Sequence, residues 1–148
     1  MIKATATFKG VQRIKENLAA IYKDPTDLLK AGAETVLDDI IKERIDGERT
    51  IDNAAMKENA PSTKRRKARK GKPDHSLWDS QLMRKKSQWK IFTAGKTKVF
   101  LQPGTAIAGR AVWVQEKGYD FFGISKLAQR KTQDVLADLI RKKLERGL

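Results

Sequence analysis

The chain has no cysteine and a single histidine, His75, in 148 residues. The first absence excludes a disulfide framework and a cysteine-ligated zinc site. The second leaves too few imidazole nitrogens for a His-rich metal site, so stability has to come from packing and no metal or other cofactor is expected. Also missing is any uninterrupted apolar run of about eighteen residues, the length a spanning helix needs, and "MIKATATFKG" at the start holds no apolar stretch of signal-peptide length. These absences predict a soluble chain made in the cytoplasm, with no membrane partner. No nucleophile elbow, Walker loop or Gly-x-Gly-x-x-Gly follows a strand-like segment, and His75 has no Ser or Cys partner at motif spacing, so it reads as a solvated loop residue. A magnesium nuclease would need two acids near a lysine. "KPDHS" supplies Asp74, but Glu116 is followed directly by Lys117, without the intervening residue of a Glu-x-Lys signature. No catalytic residue is expected.

What is abundant is positive charge. Thirty-two Lys and Arg stand against 18 Asp and Glu, a formal net charge of +14, whose long-range field attracts polyanions such as nucleic acid or an acidic protein surface. The charge peaks in "PSTKRRKARKGKPDH", where Lys64, Arg65, Arg66, Lys67, Arg69, Lys70 and Lys72 fill seven of nine positions. Such a run can neutralise several phosphates without reading base sequence, or stay a solvated tract. The opposite sign gathers between Asp24 and Glu48, with eight acids against three bases.

The length suits one domain, 1–148, with one core. Ile2, Ala4, Ala6 and Phe8 alternate with Lys3, Thr5, Thr7 and Lys9, a period of two that predicts a short strand ending at Gly10. Val11, Ile14, Leu18 and Ile21 then form a helical stripe ending near Lys23. "DPTD" offers Asp24 as N-cap and Pro25 at the first helical position of a second helix that runs to Gly47. In 46–75 apolar residues thin out and no period persists, which predicts an extended basic loop. "SLWDSQLMRKK" reads as a short helix capped by Ser76, and "QWKIFT" and "KVFLQ" as a hairpin joined by "AGKT". "RAVWVQ" is predicted as a third strand and "GYDFFGIS" as an aromatic corner before a long helix capped by Ser125. Trp78, Trp89 and Trp113 sit in apolar patterns and read as core or interface, as do Phe121 and Phe122, one expected in each role. The order predicts an α+β fold, a small antiparallel β-sheet packed against long α-helices, with the basic loop as an insertion.

From Asn59 onward three segments follow one another in an order that resembles the tailed-phage neck and tail-completion proteins, the phage virion morphogenesis family. "NAPSTKRRKARKGK" is similar to that family's "W-x-P-L-S-x-x-T-x-x-R-K" loop, "LWDSQLMRKKS" to its "L-x-D-T-G-x-L-x-x-S", and "VWVQEKGYDFFGIS" to "Y-A-x-I-H-x-x-G" followed by "R-P-F-L-G-L-S". Residue by residue, Asp79, Leu82 and Ser87 match the second segment, and Val114, Gly118, Phe121, Gly123 and Ser125 the third. Gln81 stands in place of the usual Gly, Gln115 of the usual His, and Tyr119 with Asp120 of Arg-Pro.

The resemblance implies a non-enzymatic structural virion protein at the head-tail junction of a tailed bacteriophage, present in host cytoplasm during assembly. The partners it implies are the chain itself in a ring, six copies suggested and twelve open, and other connector and tail proteins, with nonspecific contact to packaged DNA through the basic surface. The alternative left open by the residues is a sequence-nonspecific nucleic-acid-binding protein outside the virion.

Overall fold

The computed structural model of the chain describes residues 2–77 and 81–146, with side chains from residue 13 onward. Its elements are α1 (Ile2–Lys23), α2 (Thr26–Asp39) continuing into a π-helical stretch (Ile40–Asp46), α3 (Pro61–Arg69), two 3-10 turns (Leu82–Arg84 and Lys86–Gln88), β1 (Trp89–Ala94), β2 (Lys98–Pro103), α4 (Thr105–Glu116) and α5 (Lys126–Glu145). The α+β expectation holds: one two-stranded antiparallel sheet packs on α2, and α5 packs along α2.

The hairpin is the element that alternation identified correctly. Trp89, Ile91 and Thr93 face α2 opposite Pro103, Leu101 and Val99, while Phe92 and Phe100 pair on the outer face. The core gathers where the π-helical stretch, hairpin, α4 and aromatic corner converge, around Ile40, Ile45, Met83, Trp89, Ile107, Val114 and Phe121. Trp89 also satisfies its polar handle, its indole donating to the Met83 carbonyl at 2.9 Å.

The π-helical stretch has a local cause. In an α-helix, residues five apart point roughly 140° away from each other, whereas the i to i+5 register stacks them. Asp39 and Arg44 are five apart and both buried, and the guanidinium Nη2 and Nε meet Asp39 Oδ2 at 3.2 and 3.3 Å. Ser125 Oγ donates to the same oxygen at 3.0 Å and accepts from the Ala128 amide at 2.9 Å. The predicted cap of α5 is therefore tied to the end of α2.

Four predicted elements differ. The strand over residues 2–9 is the first part of α1: a two-residue period over so few positions has no force without a neighbouring strand, and a helix nucleated downstream extends cheaply through Ala and Lys. The third strand "RAVWVQ" belongs to α4, where Ile107, Ala111 and Val114, three and four apart, are the buried side. The 46–75 loop contains α3, started by Pro61 at a position where its missing N–H costs nothing. Of the short helix predicted at "SLWDSQLMRKK", the described part from Gln81 onward holds 3-10 turns, Leu82–Arg84 and Lys86–Gln88, in place of an α-helix. The Ser76 hydroxyl donates to the Lys57 carbonyl at 3.2 Å, and the amides that it is expected to cap lie outside the described residues. Trp78 and Asp79 lie outside the described residues.

Candidate polyanion and docking surfaces

Lys64, Arg65, Arg66, Lys67, Arg69 and Lys70 lie on or at the end of α3, and the helix sorts them by face. Lys67 points inward, and Lys64 reaches along the surface. Lys67 is 2 % exposed and its ammonium donates to the His75 carbonyl. Lys64 reaches Glu58 at 2.7 Å and Asp74 at 3.6 Å, while Asn59 donates to Asp74 at 2.9 Å. The bond to Glu58 raises the Lys64 pKa, and the bond from Asn59 lowers that of Asp74. These two lysines anchor the helix. Lys72 is half-buried just past it.

Arg65, Arg66, Arg69 and Lys70 are exposed and, with Ser62, line a shallow surface basin of 470 Å³. None of the four forms an ion pair among the described residues. Residues 65 and 69, and 66 and 70, are one helical step of about 6 Å apart, so four like charges repel on one face until an anion neutralises them. Their place in the last turns, where the helix macrodipole is negative, offsets part of that cost.

His75 is not the solvated residue expected from its charged surroundings. Its ring is half-buried, Nε2 lies 3.0 Å from the Asp46 carbonyl, and Nδ1 accepts from the Leu77 amide at 3.3 Å. That pattern puts the proton on Nε2. Asp74 is held by Asn59 and Lys64, while Glu116 ends α4 on the exposed side. Among the described residues no group of three or more His, Cys, Asp or Glu is arranged to hold a metal ion.

The positions that carried the family resemblance fall on the scaffold. Val114 and Phe121 are fully buried, Leu82 is half-buried, Ser87 is exposed beside the hairpin and Ser125 is the α5 cap. Asp79 lies outside the described residues. Gly118 and Gly123 have φ of +84° and +150°, values that side chains disfavour. Gln81, standing where the family pattern has Gly, is itself left-handed at φ +60°. Gln115, at the family's His position, donates to Asp120 at 2.7 Å and accepts from the Phe121 and Phe122 amides at 3.3 and 3.2 Å, closing the aromatic corner.

No protein-family model, curated protein or solved structure matches the chain.

One further surface escaped the sequence reading, and a second lies at Trp113, which that reading leaves open between core and interface. The first is an apolar groove of 560 Å³ between α2, β2 and the first half of α5, lined by Leu28, Leu29, Val36, Leu101, Ile124 and Leu136. Phe122 stacks on Trp89 with centroids 5.9 Å apart but stays 38 % exposed at the groove, so Phe121 is the core ring and Phe122 the surface one. The second is the outer side of α4, where Trp113 is 47 % exposed under the Arg110 guanidinium, 4.9 Å from the ring centroid. Ile124 and Trp113 sit in apolar runs, and no periodicity distinguishes a run that lines a groove from one that fills a core.

Proposed function

We propose that this chain is a non-enzymatic structural virion protein of the neck or tail-completion type. It assembles as a homo-oligomeric ring at the head-tail junction of a tailed bacteriophage and docks other connector and tail proteins. The observation that carries the reading is the left-handed backbone at Gln81, Gly118 and Gly123: the positions at which the family pattern has glycine are those where this backbone favours it. The second and third motifs then supply three turns, next to the 3-10 turn, α4 and the cap of α5. The surface supports the same reading, since an open apolar groove and an exposed tryptophan are docking features. In a ring, each subunit offers one face to a different face of the next.

Deleting the gene from its phage tests this. The expected particles have filled heads and finished tails that fail to join, or heads that leak DNA. Normal infectious particles would refute the proposal.

A second reading, a sequence-nonspecific nucleic-acid-binding protein outside the virion, is favoured by one observation, the outward quartet of α3. It predicts tight duplex binding by the isolated protein, with affinity falling steeply as salt rises. Replacing Arg65, Arg66, Arg69 and Lys70 by Ser discriminates: loss of DNA binding with assembly intact supports the second reading, and loss of joined particles the first.

A further inference from the structure

The groove has an unusual counterpart in the same chain. α1 is 22 residues long, about 33 Å at 1.5 Å per residue, and its principal packing is against α5. Asn17 Nδ2 donates to the Leu144 carbonyl at 3.4 Å, beyond the stretch Gln129–Leu136 that walls the groove. The helix is therefore held at the opposite end of α5 from its own groove. Its apolar stripe is poorly covered, with Ile14 37 % and Leu18 46 % exposed. Among the described residues the chain thus presents a helix face left partly uncovered at Ile14 and Leu18 and an apolar groove without an occupant.

Charge points the same way. Residues 1–23 carry five bases and one acid, whereas Asp24 to Glu48, the segment containing α2, carry eight acids and three bases. Asp38, Asp39, Glu43 and Asp46 of that segment are already ion-paired within the chain, which leaves Glu34, and Asp27 at 3.9 Å from Lys143, exposed on α2 around the Leu28, Leu29 and Val36 wall. A basic helix seated there gains attraction as well as apolar burial, which offsets part of the repulsion between two copies of a +14 chain. Helix-in-groove docking reads anchors at spacings of three and four, the spacing of Ile14, Leu18 and Ile21.

We propose that α1 of one copy lies in the α2–β2–α5 groove of the next, with Ile14 and Leu18 as anchors. The contact is heterologous, helix of one copy to groove of its neighbour, so repeating it propagates an assembly that closes when the rotation permits. It rests on the reading that the chain assembles with itself.

The chain has no cysteine, so introduced thiols are unambiguous. Leu18→Cys in isotope-labelled protein and Ile124→Cys in unlabelled protein both alter exposed positions. Mixed and oxidised, the full-length proteins are expected to give a labelled-unlabelled disulfide between positions 18 and 124, identified by peptide mass. Separately, Leu18→Glu should weaken self-association by about 10- to 100-fold in sedimentation, with the helical circular dichroism of the wild type. Closed oligomers in micrographs without the 18–124 disulfide would overturn the helix-in-groove contact and leave ring assembly standing. A wild-type protein that stays monomeric at every concentration would overturn both. In a Leu18→Cys, Ile124→Cys double variant, a disulfide formed within one chain at high dilution would also overturn it, since the occupant would then be the chain's own helix.

Discussion

Asp39 is the residue on which most of this architecture converges. Its carboxylate holds Arg44 across the π-helical turn and Ser125 at the start of α5, while Oδ1 has no hydrogen-bond partner among the described residues and Lys131 Nζ lies 3.9 Å away. Buried ion pairs add little over apolar replacements, yet removing one partner leaves the other charge stranded. Asp39→Ala should therefore destabilise the fold by about 3–5 kcal/mol in urea denaturation, because Arg44 stays buried with only the Thr50 carbonyl to receive it. Gln81 makes the opposite case. A side chain in the left-handed region costs about 1–2 kcal/mol, and glycine's extra chain entropy returns part of that. Gln81→Gly should raise stability by about 0.5–1 kcal/mol in the same measurement. A loss of stability there would remove the backbone argument for the family resemblance.

Among the elements, α3 depends most on solution conditions. It is anchored by Lys64 and Lys67, and Lys64 is held by Glu58 and, at longer range, by Asp74. Asp74 has its pKa lowered below 3.8, chiefly by the Asn59 hydrogen bond and further by Lys64. A depressed carboxylate stabilises the fold above its unfolded value and ceases to do so as pH falls through its folded value. Lys64 has its pKa raised above 10.5, chiefly by Glu58, so its contribution is complete below that value and is lost as pH rises through the higher folded one. The attachment of α3 should hold across neutral pH and loosen at both extremes. Amide exchange in 61–69, compared with that in α2, should show faster opening of α3 below the Asp74 value before the core responds. Uniform loosening of both helices would contradict this.

At the scale of the molecule, the +14 charge gives a general affinity for polyanions, and α3 concentrates it in four exposed cations, Arg65, Arg66, Arg69 and Lys70. Each phosphate neutralised contributes about 0.9 to the slope of log affinity against log salt. Replacing Arg65, Arg66, Arg69 and Lys70 by Ser should reduce that slope by about 3 to 4 units for duplex DNA, measured by fluorescence anisotropy across a salt series. Lys64→Ser should leave the slope nearly unchanged and instead loosen α3, since Lys64 is spent on Glu58 and Asp74. Equal effects of the two sets would mean that total charge, not the outward face, governs binding.

By itself the sequence determined the features set by local chemistry. The hairpin follows from alternation on either side of a glycine turn, and the cap of α5 from Ser125 before a 3.6-residue stripe. The basic run was legible as composition. Tertiary structure decided everything for which two local answers were close in energy. Residues 2–9 are helical as the first part of α1, and "RAVWVQ" is helical because Ile107, Ala111 and Val114 meet the core only on a helix. The seven basic residues look alike in sequence, and their division follows from one turn of α3 placing Lys67 against the His75 carbonyl and Arg65, Arg66, Arg69 and Lys70 toward solvent. Burial is a property of neighbours distant along the chain, so neither the anchors nor the open groove could be read before those neighbours were in place.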